Sequence, residues 1–472
     1  MSSDRGIVAT GAFVPHLRLD GDEIEAAWGT SAPVERAAVP AADEDALTMA
    51  VAAGRDAIES SRFEASAVDH LAIATTTPPL EEEEFGPRAV AALGLEADST
   101  LATATQSTVA GADALRSAAR ADGPALAVVA DAPTGDPGEA GQRVGAGAAA
   151  FLFAADGAVV LSDAATRSRD APGIRFRESG SETVDGLDIT TYERETIRDL
   201  VSVAVDALDV PADAVTAVAL HQPTADIPHR IAKALSYDAE TVTRGTLVDE
   251  VGDAGAATPA LGLLAAIDAS EPSSHVVAGC FGSGASATAL AFEVRASIQT
   301  GLSAALDAGV DVPYAQALRE RGTIGETEVA GGGAHVSLPS WQRSIPQRYR
   351  LEAGQCPDCG AVAFPPEGAC PDCHERVTFE SVSLPRSGEI VAATVIGQGG
   401  APPEFVPQQR RDGPFGVAIV EASAAGDSAR FPVQLTDCDL DDVSVGDRVE
   451  ARFRRIYSVE GVTRYGLKFA PE

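Results

Sequence analysis

Two Cys-x-x-Cys pairs are the residues most plainly arranged for chemistry: Cys356 with Cys359 and Cys370 with Cys373, in CPDCGAVAFPPEGACPDC. Each pair can present two thiolates to one ion, and the ten residues between them can return the chain for the second pair. Four thiolates suit tetrahedral Zn2+ and leave no open position, so the pattern predicts a structural zinc site. Free thiols or two disulfides are the alternatives, and a chain without a secretion signal disfavours the disulfides.

A second set of residues is spread along the chain. Ser107 and Thr108 lie in ATATQSTVAGADALRSAARA (102–121), just ahead of a helical stretch of small residues that lets a substrate or another backbone come close. His221 ends an apolar run in ALHQP, where a strand's carboxyl end can aim an imidazole into a cleft. A structural histidine is its alternative, and His229 in the next helix is assigned to the surface. Asp253 precedes a helix in VGDAGAATPALG and is either a site residue or an N-cap. The glycine-rich turn GCFGSGASA carries Gly282 and Gly284, and its Cys280, with no base beside it in sequence, is expected to be a small buried hydrophobe.

The elements that must position these residues alternate over the first 300 positions. DHLAIATTT, ALAVVADAP and AVTAVALHQP are short apolar runs bounded by turn residues, as in strands buried on both faces. EDALTMAVAAGRDAIESS has helical spacing. GADALRSAARA and GAATPALGLLAAIDA are built from Ala, Gly and Leu, as helices between layers must be. Strand, helix, small-residue helix and strand recur in the same order, which predicts a duplicated α/β unit. Each half also shows a strand pair, AAAFLFAADGAVVLSD with the turn ADGA, and VVAGCFGSGASATALAFEV. After a helix and a Gly-rich break around 310–335, residues from Phe379 onward carry strand and turn signals only. Five strands there suit a small OB-type barrel.

Composition narrows the function classes. The net charge of -35 is spread along the 472 residues, and Lys233 and Lys468 are the only lysines among 35 basic residues. Such a surface fits a chain soluble in concentrated salt, where screening removes self-repulsion. It leaves no basic face for nucleic acid. No apolar run is long enough to span a bilayer, so no membrane role and a cytoplasmic location are expected.

Taken together, the first part of the chain resembles the thiolase superfamily, nearest to archaeal hydroxymethylglutaryl-CoA synthase and then to ketoacyl-ACP synthase III. The segments that carry the resemblance are GIVATGAFVPHLRLDGDEI, VDHLAIATTTPP, HQP, VGDAGAATPALGL and GCFGSGASA, in that order over residues 5–320. Residues 340–472 resemble the zinc-ribbon plus OB-fold acyl-CoA-associated proteins, through YRLEAGQCPDCGAVAFPP, GEIVAATVIG, GPFGVAIVEA, VGDRVEARFRRI and YGLKFAPE. The implied division is 1–168 and 169–300 for the halves of a duplicated thiolase-like α/β layered fold, and 301–350 for connecting helices. A zinc ribbon at 351–378 and an all-β OB-fold at 379–472 follow.

Carried over position by position, the resemblance places the nucleophilic cysteine at Thr108, with Ser107 one residue away. It places the general-base glutamate at Thr76, the catalytic histidine at His221 and the asparagine of its G-N-x-G segment at Asp253. A helix N-terminus lowers a cysteine pKa into the neutral range, whereas a threonine hydroxyl needs a strong base to become a nucleophile. Glu81 to Glu84 follow Thr76 as a solvated acidic loop. Gly282 and Gly284 are expected near a bound CoA thioester, while Arg343, Arg348 and Arg350 either meet CoA phosphates or pack in the linker. Three readings stay open: carbon–carbon bond formation or retro-aldol cleavage of CoA thioesters without an acyl-enzyme; a non-catalytic acyl-CoA-binding or scaffolding subunit; and an acyltransferase using Cys280. The resemblance further implies lipid metabolism, a homodimer, and a thiolase or acyl-CoA enzyme docked on the OB-fold.

Overall fold

Apolar runs with no polar interruption become strands here because helices cover them on either side. The computed structural model describes residues 5–325, 336–397 and 405–472. Two compact units form, one from residues 1–90 and 95–324 and the other from 325–472 with 91–94.

The first unit is built on nine strands: β1 Arg5–Phe13, β2 His70–Ala74, β3 Thr100–Ala104, β4 Ala125–Asp131, β5 Gly147–Ala155, β6 Val159–Ala171, β7 Val215–Leu220, β8 Ser274–Gly282 and β9 Gly284–Val294. Their order in the sheet is β7-β8-β9-β6-β1-β5-β4-β2-β3. In the first half β2 runs parallel to β4, which is antiparallel to β5, which is antiparallel to β1. In the second half β7, β8, β9 and β6 repeat that order and those directions. The duplication predicted from the sequence is thus present in the topology, joined through Ile7 and Val159.

Four helices pack on this sheet: α1 Ala46–Glu59, α2 Ala110–Arg120, α3 Thr190–Val205 and α4 Ala257–Asp268. Asp45 and Thr48 close a capping box at the start of α1, each side chain accepting from the other's backbone amide. α1 lies on β1 and β5, and α3 on β9 and β6. The small-residue helices α2 and α4 touch each other and strands of both halves. Ten of the twelve residues of α4 are buried, as its all-round apolar sequence requires.

One of the two expected strand pairs is a hairpin and one is not. β8 and β9 pair directly, Gly282 opposite Ser286. β5 and β6 are joined by the ADGA turn, yet β1 lies between them. The turn signal was local, whereas the partner came from the other end of the half.

In the second unit the strands Glu352–Gln355, Val362–Ala363 and Glu380–Ser383 make the ribbon sheet. All five expected barrel strands are found, at Ser387–Ile396, Phe415–Ala424, Asp427–Gln434, Arg448–Val459 and Val462–Pro471. A bridge between Leu435 and Phe469 draws the two outer strands of this sheet together into a nearly closed barrel. The helix Val406–Asp412 interrupts what the sequence presented as strands and turns only. Its VPQQRRD carries no apolar periodicity to announce it. The Gly-rich break at 326–335 lies outside the described residues, among which no helix is long and apolar enough to cross a membrane.

Candidate functional site

The turn from β3 into α2 is an elbow. Gln106 adopts φ 76°, a left-handed conformation that a non-glycine residue holds only when its surroundings enforce it. Ser107 and Thr108 follow, and the carbonyl of Ser107 accepts the amide of Ala110 as the helix begins. These three residues, with Thr76, Glu81, Arg175, Arg177, Ser283 and Gly284, line a cleft of about 450 Å³. Thr76 and Thr108, called from the sequence, therefore meet in one cavity.

Among the described residues, no cysteine lines this cleft. The Thr108 hydroxyl is committed, donating to the Phe281 carbonyl at 2.5 Å. Ser107 Oγ is buried beside Gly282 without a partner. Cys280 is fully buried in β8, and burial pushes its thiol up to about 12. That is the behaviour of a packed hydrophobe and not of a nucleophile.

Gly282 is needed for the approach of its strand to the elbow. A Cβ there would lie 2.0 Å from Ser107 Oγ and about 3 Å from Val109. Gly282→Ala is expected to displace the elbow and lower stability by about 1–3 kcal/mol. A melting temperature unchanged from the parent would contradict this close packing.

His221 and Asp253 sit behind the lining. The imidazole packs against Phe281 with ring centroids 5.5 Å apart, and its Nδ1 is buried with no partner. Burial pushes the imidazole down to about 4; Asp253 opposes this and Arg175 adds to it. His221 is therefore neutral near pH 7. Asp253 pairs with Arg175 through Oδ2 and accepts the Gly255 amide on Oδ1 at 3.0 Å. Burial alone would raise its carboxyl, but Arg175 and Arg143 hold it below the usual carboxylate value.

Asp253 does not cap α4. The N-cap position belongs to Ala256, whose side chain makes no capping bond and whose amide donates to Asp131 Oδ2 at 2.8 Å. Asp131 is fully buried at the end of β4 and accepts four more hydrogen bonds, from Thr75 Oγ1, Thr76 N, Thr76 Oγ1 and Thr77 Oγ1. The threonine run of the first half and the start of the second half's buried helix are thereby tied to one carboxylate. Gly255, at φ 55°, leaves room for it: a Cβ there would lie 2.3 Å from Asp131 Oδ2.

Sequence reasoning missed Asp131, Arg175 and Arg177. An acid ending an otherwise apolar strand, ALAVVAD, was the available signal, because a buried carboxylate demands partners. Arg177 donates to the Thr76 carbonyl, which no local pattern announces. Glu81 to Glu84 are exposed, Glu81 at the cleft and Glu83 paired with Arg88.

The four ribbon thiols lie within 4.8 Å of one another, with Sγ separations of 3.8 Å for Cys356–Cys373 and 3.5 Å for Cys359–Cys370. A tetrahedron with Zn–S bonds of about 2.3 Å has edges of about 3.7 Å, so the thiols fit the ion. Each knuckle turns on itself, Gly360 N donating to Cys356 O and His374 N to Cys370 O. Nearby, Arg348 stacks over Trp341 at 4.5 Å and Arg350 pairs with Glu352. Both are engaged in packing.

Comparisons with known proteins match separate parts of the chain. Residues 343–380 match the family model "ChsH2, rubredoxin-like zinc ribbon domain", and residues 381–454 match "ChsH2, C-terminal OB-fold domain". A hydroxymethylglutaryl-CoA synthase of Caldivirga maquilingensis is 30% identical over 305 residues, covering 61% of this chain and 87% of that protein. A DUF35 domain-containing scaffold protein of Methanocaldococcus jannaschii is 38% identical over 134 residues, covering 28% of this chain and 88% of that protein. Among solved structures, an HMG-CoA synthase complexed with CoA superposes with a TM-score of 0.61 at 16% identity, over 71% of this chain and 94% of that one. The 3-oxoacyl-(acyl carrier protein) synthase III of Pseudomonas aeruginosa gives 0.55 at 20% identity, over 62% and 99%. The chain therefore belongs to the hydroxymethylglutaryl-CoA synthase family through its thiolase-like N-terminal part, and to the DUF35-type zinc-ribbon and OB-fold proteins through its C-terminal part.

Proposed function

We propose that the cleft takes an acyl-CoA thioester and that its chemistry, carbon–carbon bond formation or retro-aldol cleavage, runs without a covalent acyl-cysteine. The observation that supports this is the elbow: Thr108, which the resemblance puts at the nucleophile position, has its hydroxyl committed to Phe281, and no thiol is found among the described residues that line the cleft. CoA as ligand is supported by the related fold that was solved with CoA bound. In this reading neutral His221 offers a hydrogen bond to an oxygen of the acyl group. Thr76 occupies the place of the base, held by Asp131 and Arg177, and supplies a hydroxyl where a carboxylate would otherwise act. Asp253 orients Arg175, while Gly284, which lines the cleft with open space where a Cβ would sit, lets the acyl chain come close to the backbone.

The ribbon would hold one Zn2+ through Cys356, Cys359, Cys370 and Cys373. With four protein thiolates the ion is structural, and the role of these residues is to fold the ribbon.

The test is incubation of the full chain with acetyl-CoA, acetoacetyl-CoA and longer acyl-CoA, followed by intact mass and product analysis. Products without an adduct are expected, and a covalent acyl adduct overturns the reading. Binding without products favours a second reading, a scaffolding subunit, for which the DUF35 scaffold relative speaks. There the chain would be a homodimer that docks a thiolase or acyl-CoA enzyme on its OB-fold, in the cytoplasm of a cell adapted to salt and within lipid metabolism.

Thr108→Cys complements the test. A thiol at this helix start would be activated as a threonine hydroxyl cannot be. The variant is expected to gain the mass of one acyl group that the parent does not gain. No adduct in a folded variant would remove Thr108 from the nucleophile position.

A further inference from the structure

Among the described residues, three polar atoms around the segment Phe281–Gly284 are buried without a hydrogen-bond partner: Ser107 Oγ, Arg175 Nη2 and His221 Nδ1. Ser107 lies against Gly282, the Arg175 amide donates to Ser283 Oγ at 3.1 Å, and the His221 ring packs on Phe281. Buried polar groups ordinarily find partners, so three beside one short segment point to ligand oxygens.

Arg175 links these atoms electrostatically. One arm of its guanidinium, Nη1, holds Asp253, and the other, Nη2, is left over. Asp253 and Arg175 are the charged groups that act on His221. Arg143 approaches Asp253 from the segment before β5, its carbonyl accepting the Asp253 amide at 2.7 Å. Asp131 faces Arg175 across Gly255, with its own oxygens already occupied by five donors. Arg175 is thus the cation that stands between a buried carboxylate and a buried imidazole.

We propose that Arg175 is a positioning residue: by clamping Asp253 it leaves the His221 imidazole uncharged, with Nδ1 and Arg175 Nη2 both free for oxygens of a bound acyl group. The identity of those oxygens rests on the acyl-CoA reading above, whereas the protonation of His221 is measured with no ligand present. Burial of the imidazole acts in the same direction as the clamp. Without Arg175, Asp253 would face His221 with only Arg143 to offset it, and the imidazolium would gain a partner.

The experiment is a pH titration of the full chain carrying ¹³C-labelled histidine, followed at Cε1, with His221→Asn to identify the resonance among seven. In the parent protein the His221 signal is expected to titrate well below the ordinary histidine value of about 6.5. A parent midpoint at or above that value overturns the proposal whatever the variants do. Arg175→Gln is expected to raise the midpoint by at least about one pH unit, and Arg175→Gln with Asp253→Asn to bring it back. A midpoint unmoved in Arg175→Gln overturns the proposal, as does one that stays raised in the double variant. Arg175→Lys keeps the charge, and a midpoint raised as far as in Arg175→Gln would also overturn it. The other six histidines report whether each variant is folded. A failure of acyl-CoA binding would leave this titration intact, so the two readings fall separately.

Discussion

Chelating the metal from the reduced full-length protein is expected to abolish hydrogen-exchange protection over residues 352–383, with a smaller loss across the barrel. The ribbon has three strands of two to four residues and little apolar interior of its own. Its order therefore depends on the four thiolates, whose separations already match a tetrahedral ion. Metal binding of this kind supplies about 10–16 kcal/mol of apparent free energy in small ribbons and fingers, more than such a segment can replace. Leu351, Ala353 and Val362 belong to the same apolar cluster as Val420, Phe431 and Phe469 of the barrel, so the barrel should soften without unfolding. Protein kept reduced that contains no zinc, or protection that survives complete chelation, would refute this.

The second large effect is expected at Asp131. Its two oxygens accept five hydrogen bonds in the interior, and Asp131→Ala removes the acceptor of all five and leaves an empty volume. Removing one member of a buried charged network costs about 3–5 kcal/mol. Asp131→Asn keeps the volume but turns an amide NH2 toward donors, either at Thr76 and Ala256 or at the threonine run, so it should recover only part of the loss. The two tryptophans fall one in each unit, Trp28 and Trp341. With Trp341→Phe as background, Trp28 fluorescence in denaturant follows the N-terminal unit alone. A midpoint for Asp131→Ala close to the parent would mean that the carboxylate is not the tie between the halves.

What was readable in advance follows from how local each signal is. The two cysteine pairs, the five barrel strands and the runs around Ile73, Val128 and Val218 announce themselves within ten or so residues. Thr108, His221 and Asp253 stood out in their own stretches and Thr76 only through resemblance, and the structure gathers them about one cleft and the layer behind it. Asp131 is 55 residues from Thr76 and 125 from Ala256, so its partners are set by the sheet and not by any spacing. Arg175 and Arg177 lie in an irregular segment after β6, where neither periodicity nor motif singles out a side chain. The ADGA turn misled for the converse reason: a favourable turn says where the chain bends, and the sheet decides what it bends beside.

The placement of β1 also bears on how the molecule is made. Arg5–Phe13 is synthesised long before its neighbour in the sheet, Gly147–Ala155. Until that strand has been synthesised, an apolar segment with two open edges waits in the nascent chain, with aggregation as its competing fate. Closing so long a loop is slow, so the rate at which the first half matures is governed by the arrival of its last strand rather than by any local element.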